Sequence, residues 1–589
     1  MDPELETVIK ILNNTRNQSG PGKGFRIRQT RNSYKSMSNP VKSRKIIKPT
    51  EKKVVETIQE NIEEELISEI NEFYKESDEK YLKEVANKTG STALWTRKDS
   101  NGYDEPSYST IRIKKYLAFR PYIDPMTIRP QLNPNSQYFF KMANSDVKLI
   151  RYTLEDNGFR EIANTNTWTI MWHGGAIKSN IYQSLTRYQK VNHFPRSHEI
   201  TRKDLMYKNL AKMQVLHGAR AFDFVPKTYI MPQDAGQLEY EMNLIEATWI
   251  VKPSASSQGK GIFLTTKFSD VPKKDHVVSQ YIENPLLIDG LKFDLRIYVA
   301  ITCFNPLRIY IYKDGLVRFA TQKYNGSSKG SRFMFLTNYS VNKYSEKFVE
   351  NDNAVNDGQG SKWSIKALRK LFIEQGIDDE KLWVKIHDLV IKAILSIEGL
   401  VFAGCEMHLP YRTNCFELLG FDVLIDDTLN PWLLEVNLSP SMNCDAPIDQ
   451  KIKGEMISDL FSLSGIVSIG QRKNNHGNAQ NKALNYLAYM QRTSYVSNGK
   501  QKRPIDAGRT GFESFGEGLN MEERSIIKEM THEYKRRGGF ERIYPTETAG
   551  NYKNLFERER AYNTILMNYV LRMHRKNQGA VHGRNTEDE

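Results

Sequence analysis

Helix-like and strand-like patterns of hydrophobic residues alternate between residues 135 and 470, and this alternation predicts an α/β (α+β) body. One segment, 291–299, alternates with period two, so that Phe293 shares an apolar face with the other odd-numbered residues. The charged residues Lys292, Asp294 and Arg296 share the opposite face. A solvent-exposed face would also explain three charges. Because strongly apolar segments flank this strand in the sequence, we expect the charged row to line a polar cleft.

A second pair of strands is predicted at 415–425 and 432–437, joined by a turn at 426–431. If the turn is centred between Thr428 and Leu429, Asp422 lies directly opposite Glu435, and Asn437 lies on the same face. Two opposed carboxylates destabilise each other, so a shared proton, a basic residue or a divalent cation must compensate. Three hard oxygen ligands suit Mg²⁺. A hairpin with exposed acids is the alternative.

Two further patterns surround these strands. The segment 308–319 is rich in aromatic residues and contains Asp314-Gly315, which predicts a hairpin. The strand-like segments 249–253 and 262–264 enclose a loop of small residues in which backbone N–H groups, Lys252 and Lys260 could bind phosphate. The loop lacks the Gly-Lys-Ser/Thr ending of a Walker loop, and an ordinary Ser/Gly-rich turn is the alternative.

The flanks of the body differ from it in composition. Residues 1–53 are basic and poor in apolar residues, which predicts a disordered extension. Residues 54–134 are expected to contain an acidic amphipathic helix and a linker, and 135–470 form the catalytic-core candidate. Residues 471–589 are basic and partly helical. Basic flanks around a nearly neutral body suggest a polyanionic partner, with nucleic acid, acidic membranes and acidic protein surfaces all admissible.

Composition narrows the class of protein. The 589 residues carry a net charge of +14 and are 39% hydrophobic, and no run of about 18 apolar residues occurs. The first residues lack the pattern of a secretory signal, and the four cysteines show no CxxC pair. We therefore expect a protein of a reducing intracellular compartment. His193 and Cys415 are expected to be structural rather than catalytic.

A series of motifs resembles the tubulin tyrosine ligase-like family of ATP-grasp ligases, on its polyglutamylase branch. The motifs are Gln-Lys-Val-Asn-His-Phe-Pro (189–195), Trp-Ile-Val-Lys-Pro (249–253), Pro-Leu-Leu-Ile (285–288), Lys-Phe-Asp (292–294), Leu-Thr-Asn-Tyr-Ser-Val-Asn-Lys (336–343) and Leu-Glu-Val-Asn-Leu-Ser-Pro-Ser (434–441). The basic Lys-Arg-Arg-Gly-Gly-Phe at 535–540 resembles the region that follows the core in several microtubule glutamylases, which implies that 471–589 are a candidate microtubule-binding segment. The resemblance implies an ATP-grasp core with N-terminal, central and C-terminal lobes.

The resemblance also implies roles for individual residues. Residues implied to bind ATP are Lys252, Gln258, Gly259, Gln280, Tyr281, Ile282, Lys292, Phe293, Asp294, Thr337 and Asn338. Residues implied to hold the incoming amino acid are Arg318, Tyr339, Ser340 and Lys453, and the implied Mg²⁺ ligands are Asp422, Glu435 and Asn437. Besides Glu435, we assign a catalytic role to Arg296, which strand alternation directs toward the reacting carboxyl group or the tetrahedral intermediate. Phe335 stands where the family pattern leads us to expect histidine.

The function implied by the resemblance is ATP- and Mg²⁺-dependent addition of glutamate to glutamate side chains of tubulin C-terminal tails, through an acyl phosphate. The implied partners are tubulin and free glutamate, without membrane or nucleic acid. The implied location is the cytoplasm and the microtubule cytoskeleton, with the cilium or basal body as further sites. Alternatives are a ligase of the same fold with another donor (glycine or tyrosine) or a non-tubulin acceptor, and a non-catalytic protein that binds microtubules or nucleic acid.

Overall fold

The computed structural model describes residues 96–98, 104–106, 116–121, 138–163, 167–254, 259–326, 330–349, 357–467 and 519–582. The chain divides into two compact units, and the first comprises 1–113, 513–519 and 572–589. In it, strands β1 (Thr96–Lys98) and β2 (Asp104–Pro106) pair antiparallel. The disordered extension predicted at 1–53 and the acidic helix predicted after it lie outside the described residues.

The second unit, residues 114–512 and 520–571, begins with a parallel sheet of four strands in the order β4-β3-β5-β6. Its elements are β3 (Tyr138–Ala143), α1 (Lys148–Asp156), β4 (Phe159–Glu161), β5 (Ile170–His173), α2 (Ser179–Gln183) and β6 (Lys190–Val191). Helices α3 (His198–Thr201) and α4 (Lys203–His217) follow. Crossover connections through helices are what a parallel sheet requires.

An antiparallel sheet of four strands comes next, in the order β7-β10-β8-β9. Its elements are β7 (Thr228–Met231), α5 (Ala235–Leu244), β8 (Trp249–Pro253), β9 (Phe263–Thr265) and β10 (His276–Gln280). Strands β8 and β9 confirm the predicted pair of strands around the small-residue loop.

The largest sheet has eight strands, and β12 pairs with four of the other seven. Its strands are β11 (Leu287–Ile288), β12 (Leu291–Phe304), β13 (Leu307–Tyr312), β14 (Leu316–Phe319), β15 (Lys362–Ser364), β16 (Glu417–Ile425), β17 (Pro431–Asn437) and β18 (Phe540–Tyr544). The helices in and after this region are α6 (Arg332–Phe335), α7 (Tyr339–Asn342), α8 (Ile365–Glu374), α9 (Asp379–His408), α10 (Pro447–Ser464), α11 (Met521–Lys535) and α12 (Ala561–His582).

The alternation predicted for β12 is confirmed, and it sorts side chains between two cores. Leu295 and Ile297 belong to a buried cluster that also contains the apolar residues of α9. Tyr298 and Ala300 belong to a second cluster that contains the apolar residues of α10. The strand is therefore covered on both faces, except where its first even-numbered residues meet the cavity described below.

The hairpin predicted at 308–319 is wrong. Strands β13 and β14 both pair antiparallel with β12, one after the other along the same strand, so they run in the same direction. Gly315, between them, does not have a left-handed backbone, and a Cβ added there would lie 2.4 Å from the carbonyl oxygen of Arg296. The Asp-Gly pair therefore interrupts a strand instead of reversing it, because β12 supplies the hydrogen bonds for both halves.

The core does not end at residue 470. Strand β18 pairs with β13 and extends the central sheet, and helix α11 packs through buried ion pairs. Arg308, fully buried, donates to Glu529 at 2.7 Å and lies 3.0 Å from Glu533. Residues 520–571 thus belong to the same compact unit as the catalytic-core candidate. A boundary at 470 separates segments that fold together.

The basic cluster predicted to dock on microtubules makes contacts within the chain. The guanidinium carbon of Arg536 lies 4.0 Å from the ring centroid of Tyr116, and that of Arg537 lies 3.8 Å from the ring of Tyr534. Lys535 is exposed. These stacking contacts give the two arginines a structural role that the sequence alone did not reveal. Among the described residues, no helix combines the length and the apolar character needed to span a membrane.

Candidate active site

A cavity inside the second unit lies against the β7–β10 sheet and the central sheet, and it collects most of the residues that the resemblance assigns to ATP. The predicted residues that line it are Lys252, Gly259, Gln280, Tyr281, Ile282, Lys292, Asp294, Thr337, Asn338, Asp422 and Glu435. Ile250 and Leu336 give part of its wall an apolar surface. Polar and apolar groups thus converge as they do in sites for small molecules.

Three further residues of the predicted site, Gln258, Phe293 and Phe335, have separate outcomes. Gln258 lies outside the described residues. The side chain of Phe293 does not line the cavity, because it lies on the opposite face of β12 from its two charged neighbours and is fully buried in the core. Phe335 lines the cavity as part of an apolar cluster with Ile250 and Tyr281, which agrees with the loss of a polar role there.

Two buried lysines supply positive charge to the cavity. Burial lowers the pKa of Lys252 to about 8 and that of Lys292 to about 7. The Lys292 ammonium donates a hydrogen bond to the Tyr281 hydroxyl at 2.8 Å and lies 4.4 Å from the centroid of the same ring. Buried ammonium groups gain most from an anionic ligand, so both lysines are suited to bind phosphate oxygens.

The small-residue loop approaches the 336–341 segment closely. Gly259 has a φ of +72°, and a Cβ at this position would lie 2.9 Å from Val341 Cγ2 and 3.4 Å from Asn338 Oδ1. Only glycine combines this backbone conformation with so close a contact. The loop is thereby held over the side of the cavity that Thr337 and Asn338 line.

Asp422 faces Glu435 across β16 and β17, as the sequence predicts, although the turn is not where the prediction placed it. Near the tip, Ile425 pairs with Pro431, so the turn is centred on Thr428. A bulge between Leu433 and Glu435 then shifts the register by one residue. The two deviations cancel, and the predicted opposition of the carboxylates is confirmed.

Two arginines compensate the charge of Asp422. Arg296 donates from Nε to Asp422 Oδ1 at 2.6 Å and from Nη2 to Oδ2 at 3.1 Å, and Arg318 Nη2 lies 2.8 Å from Oδ2. Burial alone would raise the pKa of this carboxyl, but the two guanidinium groups hold it well below its usual range. Basic residues are one of the compensations that the sequence left open, and the structure places two of them on Asp422.

A lysine that sequence reasoning missed compensates Glu435. Lys203, the first residue of α4, lies on the cavity wall with its Nζ 2.9 Å from Glu435 Oε2. One turn later, the Tyr207 hydroxyl donates to the carbonyl of the bulged residue Leu434 at 3.3 Å. Helix α4 thus supports both the backbone and the carboxylate at this point. More than 200 residues separate the partners, and no local pattern links them.

The residues predicted to hold an amino acid lie around a second charged cluster. Lys453 pairs with Asp449 at 2.8 Å, and Lys362 pairs with the same carboxylate at 2.5 Å. The Lys362 ammonium lies 4.3 Å from the centroid of the Tyr339 ring, and Lys362 faces Arg318 across β14 and β15. The structure therefore connects Arg318, Tyr339 and Lys453 through Lys362 and Asp449, which the sequence did not indicate. Ser340 follows Tyr339 in α7 and is half-buried.

The donor atoms near Asp422 fit a hard divalent cation. Asp422 and Glu435 line the same cavity, and Asn437 Nδ2 lies 3.4 Å from Glu435 Oε1. Among the described residues, no group of three His, Cys, Asp or Glu side chains forms a metal cluster. A cation here would therefore need these two carboxylates, the Asn437 amide and oxygens of a ligand, which is how Mg²⁺ is usually held beside phosphates.

His193 and Cys415 lie outside this cavity in the packed interior. His193 Nδ1 is 2.6 Å from Glu417 Oε1, and Glu417 also accepts from the backbone N–H of Phe194 at 2.9 Å. Cys415 is buried, and burial raises the pKa of its thiol. These contacts agree with the structural role expected for both residues.

Comparison with known proteins gives a consistent result. Residues 180–476 match the model of the tubulin-tyrosine ligase family. The chain is 42% identical over 448 residues to "Tubulin polyglutamylase TTLL5" of Mus musculus, 37% identical over 457 residues to "Tubulin monoglutamylase TTLL4" of Homo sapiens, and 34% identical over 453 residues to "Tubulin polyglutamylase ttll-5" of Caenorhabditis elegans. These matches cover 72%, 74% and 71% of this chain, and 33%, 37% and 62% of the three relatives. The chain thus spans about a third of the length of the mouse relative.

Proposed function

Because this chain belongs to the tubulin-tyrosine ligase family, we propose that it is an ATP-dependent ligase that adds glutamate to glutamate side chains of tubulin C-terminal tails. One observation carries the proposal. The cavity combines two buried lysines suited to phosphate with two opposed carboxylates suited to a cation, Asp422 and Glu435. Ligases that activate a carboxylate with ATP need both features in one place.

The proposed chemistry follows from the requirements of an amide bond. A carboxylate is a poor electrophile, and bound ATP with Mg²⁺ supplies the phosphoryl group and the charge neutralisation that convert it into an acyl phosphate. Lys252 and Lys292 bind phosphate oxygens and stabilise the charge that develops during transfer. Tyr281 and the apolar wall receive the base. No covalent enzyme nucleophile is required, because the amine of the second amino acid displaces phosphate.

Asp422, Glu435 and Asn437 would hold the Mg²⁺, and Arg296 orients Asp422 at 2.6 Å. We assign Arg296 to this positioning role as well as to the reacting carboxyl group, since strand alternation directs it to the same side of β12 as Asp294. The assignment of all these site residues is part of the proposal.

Glutamate as donor is supported by the charge of the second cluster. Glutamate carries two carboxylates, and Arg318, Lys362 and Lys453 lie in one connected group in which the two lysines share Asp449. Beyond Asp449 the two lysines carry one positive charge, which a second donor carboxylate can neutralise, whereas glycine and tyrosine each carry one carboxylate only. The names of the relatives, polyglutamylase and monoglutamylase, agree with glutamate. We propose the cytoplasmic microtubule cytoskeleton, including cilia and basal bodies, as the place of action.

The proposal is tested by incubating tubulin with the protein, ATP, Mg²⁺ and one amino acid at a time, followed by mass spectrometry of the tubulin tails. We expect glutamate to be added, and glycine and tyrosine not to be. The Asp422→Asn variant serves as the inactive control, and Asp427→Asn, at an exposed position of the same hairpin turn, serves as the matched active control. ATP-dependent addition of a different amino acid, or no addition to any acidic tail, would overturn the proposal.

A further inference from the structure

Arg318 uses two of its three guanidinium nitrogens, Nε and Nη2, to pair with carboxylates of its own chain. Its Nε donates to Asp294 Oδ1 at 2.8 Å, and its Nη2 donates to Asp294 Oδ2 and lies 2.8 Å from Asp422 Oδ2. The side chain is largely buried. While Nε and Nη2 are paired in this way, an incoming carboxylate can reach only Nη1 and cannot form the two-nitrogen contact that arginine makes with a carboxylate.

Asp422 is engaged to the same degree. Its Oδ1 accepts from Arg296 Nε at 2.6 Å, and its Oδ2 is shared by Arg296 at 3.1 Å and Arg318 at 2.8 Å. Two arginines and two aspartates therefore alternate in one buried group whose formal charges cancel. A divalent cation that binds Asp422 must share oxygens that now serve guanidinium groups, and like charges repel.

We propose that Arg318 changes partner during ligand binding, so that a cation and nucleotide bound at Asp422 release Arg318 to take the carboxylate of the donor amino acid. This inference rests on the proposed function and adds to it a rule of cooperative binding. Asp294 is the positioning residue in this exchange, since its fork-like contact with Arg318 holds the guanidinium in place when Asp422 gives up its share.

The physical basis is that a buried charge is costly unless a group of opposite charge pairs with it. Without the cation, a donor carboxylate would have to compete with Asp422 for the guanidinium. With the cation, Asp422 is neutralised by it, and Arg318 Nη2, which then keeps only its contact with Asp294, can donate to an incoming anion. Coupling of this kind is reciprocal, so the amino acid must strengthen binding of the cation by the same factor.

The decisive experiment measures L-glutamate binding to the full chain by calorimetry in four states: without ligand, with Mg²⁺, with a non-hydrolysable ATP analogue alone, and with both. We expect affinity to rise by about 5- to 150-fold when Mg²⁺ and the analogue are both present, the range that is typical of coupled sites. The analogue without metal should leave the affinity unchanged. Equal glutamate affinities in all four states would overturn the exchange.

A variant separates exchange from simple structural support. In Arg318→Gln the guanidinium no longer competes for Asp422, so Mn²⁺, measured by electron paramagnetic resonance, should bind more tightly while glutamate binding is lost. A purely structural arginine would weaken both. Arg151→Gln, which removes an arginine paired with Glu161 outside the cavity, is the control and should change neither. Weaker Mn²⁺ binding in Arg318→Gln, with unchanged thermal unfolding, contradicts the exchange.

The two proposals fail in different ways. If the wild-type protein binds the ATP analogue and glutamate independently, the exchange is wrong and the ligase proposal stands. If it binds neither the analogue nor glutamate in any state, both are wrong.

Discussion

Asp422 and Glu435 face each other across two antiparallel strands, yet each carboxylate is neutralised by basic residues from different elements. Asp422 is paired with arginines of β12 and β14, and Glu435 is paired with the first residue of α4. The repulsion expected between opposed carboxylates is thereby relieved.

Removing the charge of Glu435 should abolish ligation while the fold is kept. Glu435→Gln preserves the shape of the side chain but loses a charged oxygen at the proposed cation site, so we expect at least a ~100-fold fall in rate. The rate is measured as ATP-dependent incorporation of labelled glutamate into tubulin. Near-normal Mg²⁺-dependent turnover of this variant would show that Glu435 does not bind the cation.

Lys203 is expected to act through Glu435. Lys203→Met leaves that carboxylate without its 2.9 Å partner, and outer partners of metal ligands typically contribute 10- to 100-fold to metal affinity or activity. We expect a loss of about that size, with partial recovery in Lys203→Arg. Lys212→Met, at an exposed position of the same helix, is the matched control. Equal activity of the Lys203→Met and Lys212→Met variants would contradict this role.

Nucleotide binding should weaken as the pH rises. Burial lowers the pKa of Lys292 to about 7 and that of Lys252 to about 8, so both groups lose their proton in the empty site as the pH passes these values. Phosphate favours the charged form, and binding must therefore take up protons. Titration of the ATP analogue in buffers of different ionisation enthalpy should show this uptake near pH 8. Affinity that is flat from pH 7 to pH 9 would show that neither lysine meets phosphate.

Helix α11, which follows residue 520, should contribute strongly to stability. Glu533→Gln leaves the buried Arg308 without one of its two ion-pair partners, and breaking a buried pair typically costs about 3–5 kcal/mol. Chemical denaturation should show this loss of unfolding free energy. Glu522→Gln, exposed on the same helix, should change it little. Similar stabilities of the two variants would mean that α11 is only loosely attached.

The predictions that the structure confirms depend on residues close together in the sequence. The alternation along 291–299 places Lys292 and Phe293 on opposite faces, because successive side chains of a strand point to opposite sides of the sheet. The opposition of Asp422 and Glu435 followed from counting along one short hairpin. In that case the count was helped by a bulge that offset an error of one residue at the turn.

The features that the sequence did not predict depend on contacts between segments far apart in the chain. The Asp-Gly pair at 314–315 is typical of a hairpin. Whether the strands on either side of it, β13 and β14, pair with each other or with β12 depends on the whole sheet. Lys203 and Lys362 carry no local signature, because their partners lie on other elements. Arg536 and Arg537 count only as positive charge in the sequence, but in the structure their guanidinium groups stack on aromatic rings from other positions of the chain.

The position of β18 has a practical consequence for how the protein can be divided. Strand β18 completes the hydrogen bonds of β13, although the two strands are separated by more than 200 residues of sequence. A shortened protein that stops near residue 470 would expose the backbone donors and acceptors of β13 as a free edge. Free edges pair with other chains, so such a fragment should aggregate during expression. A shortened protein that retains 520–571 and omits only part of 471–518 keeps that edge covered.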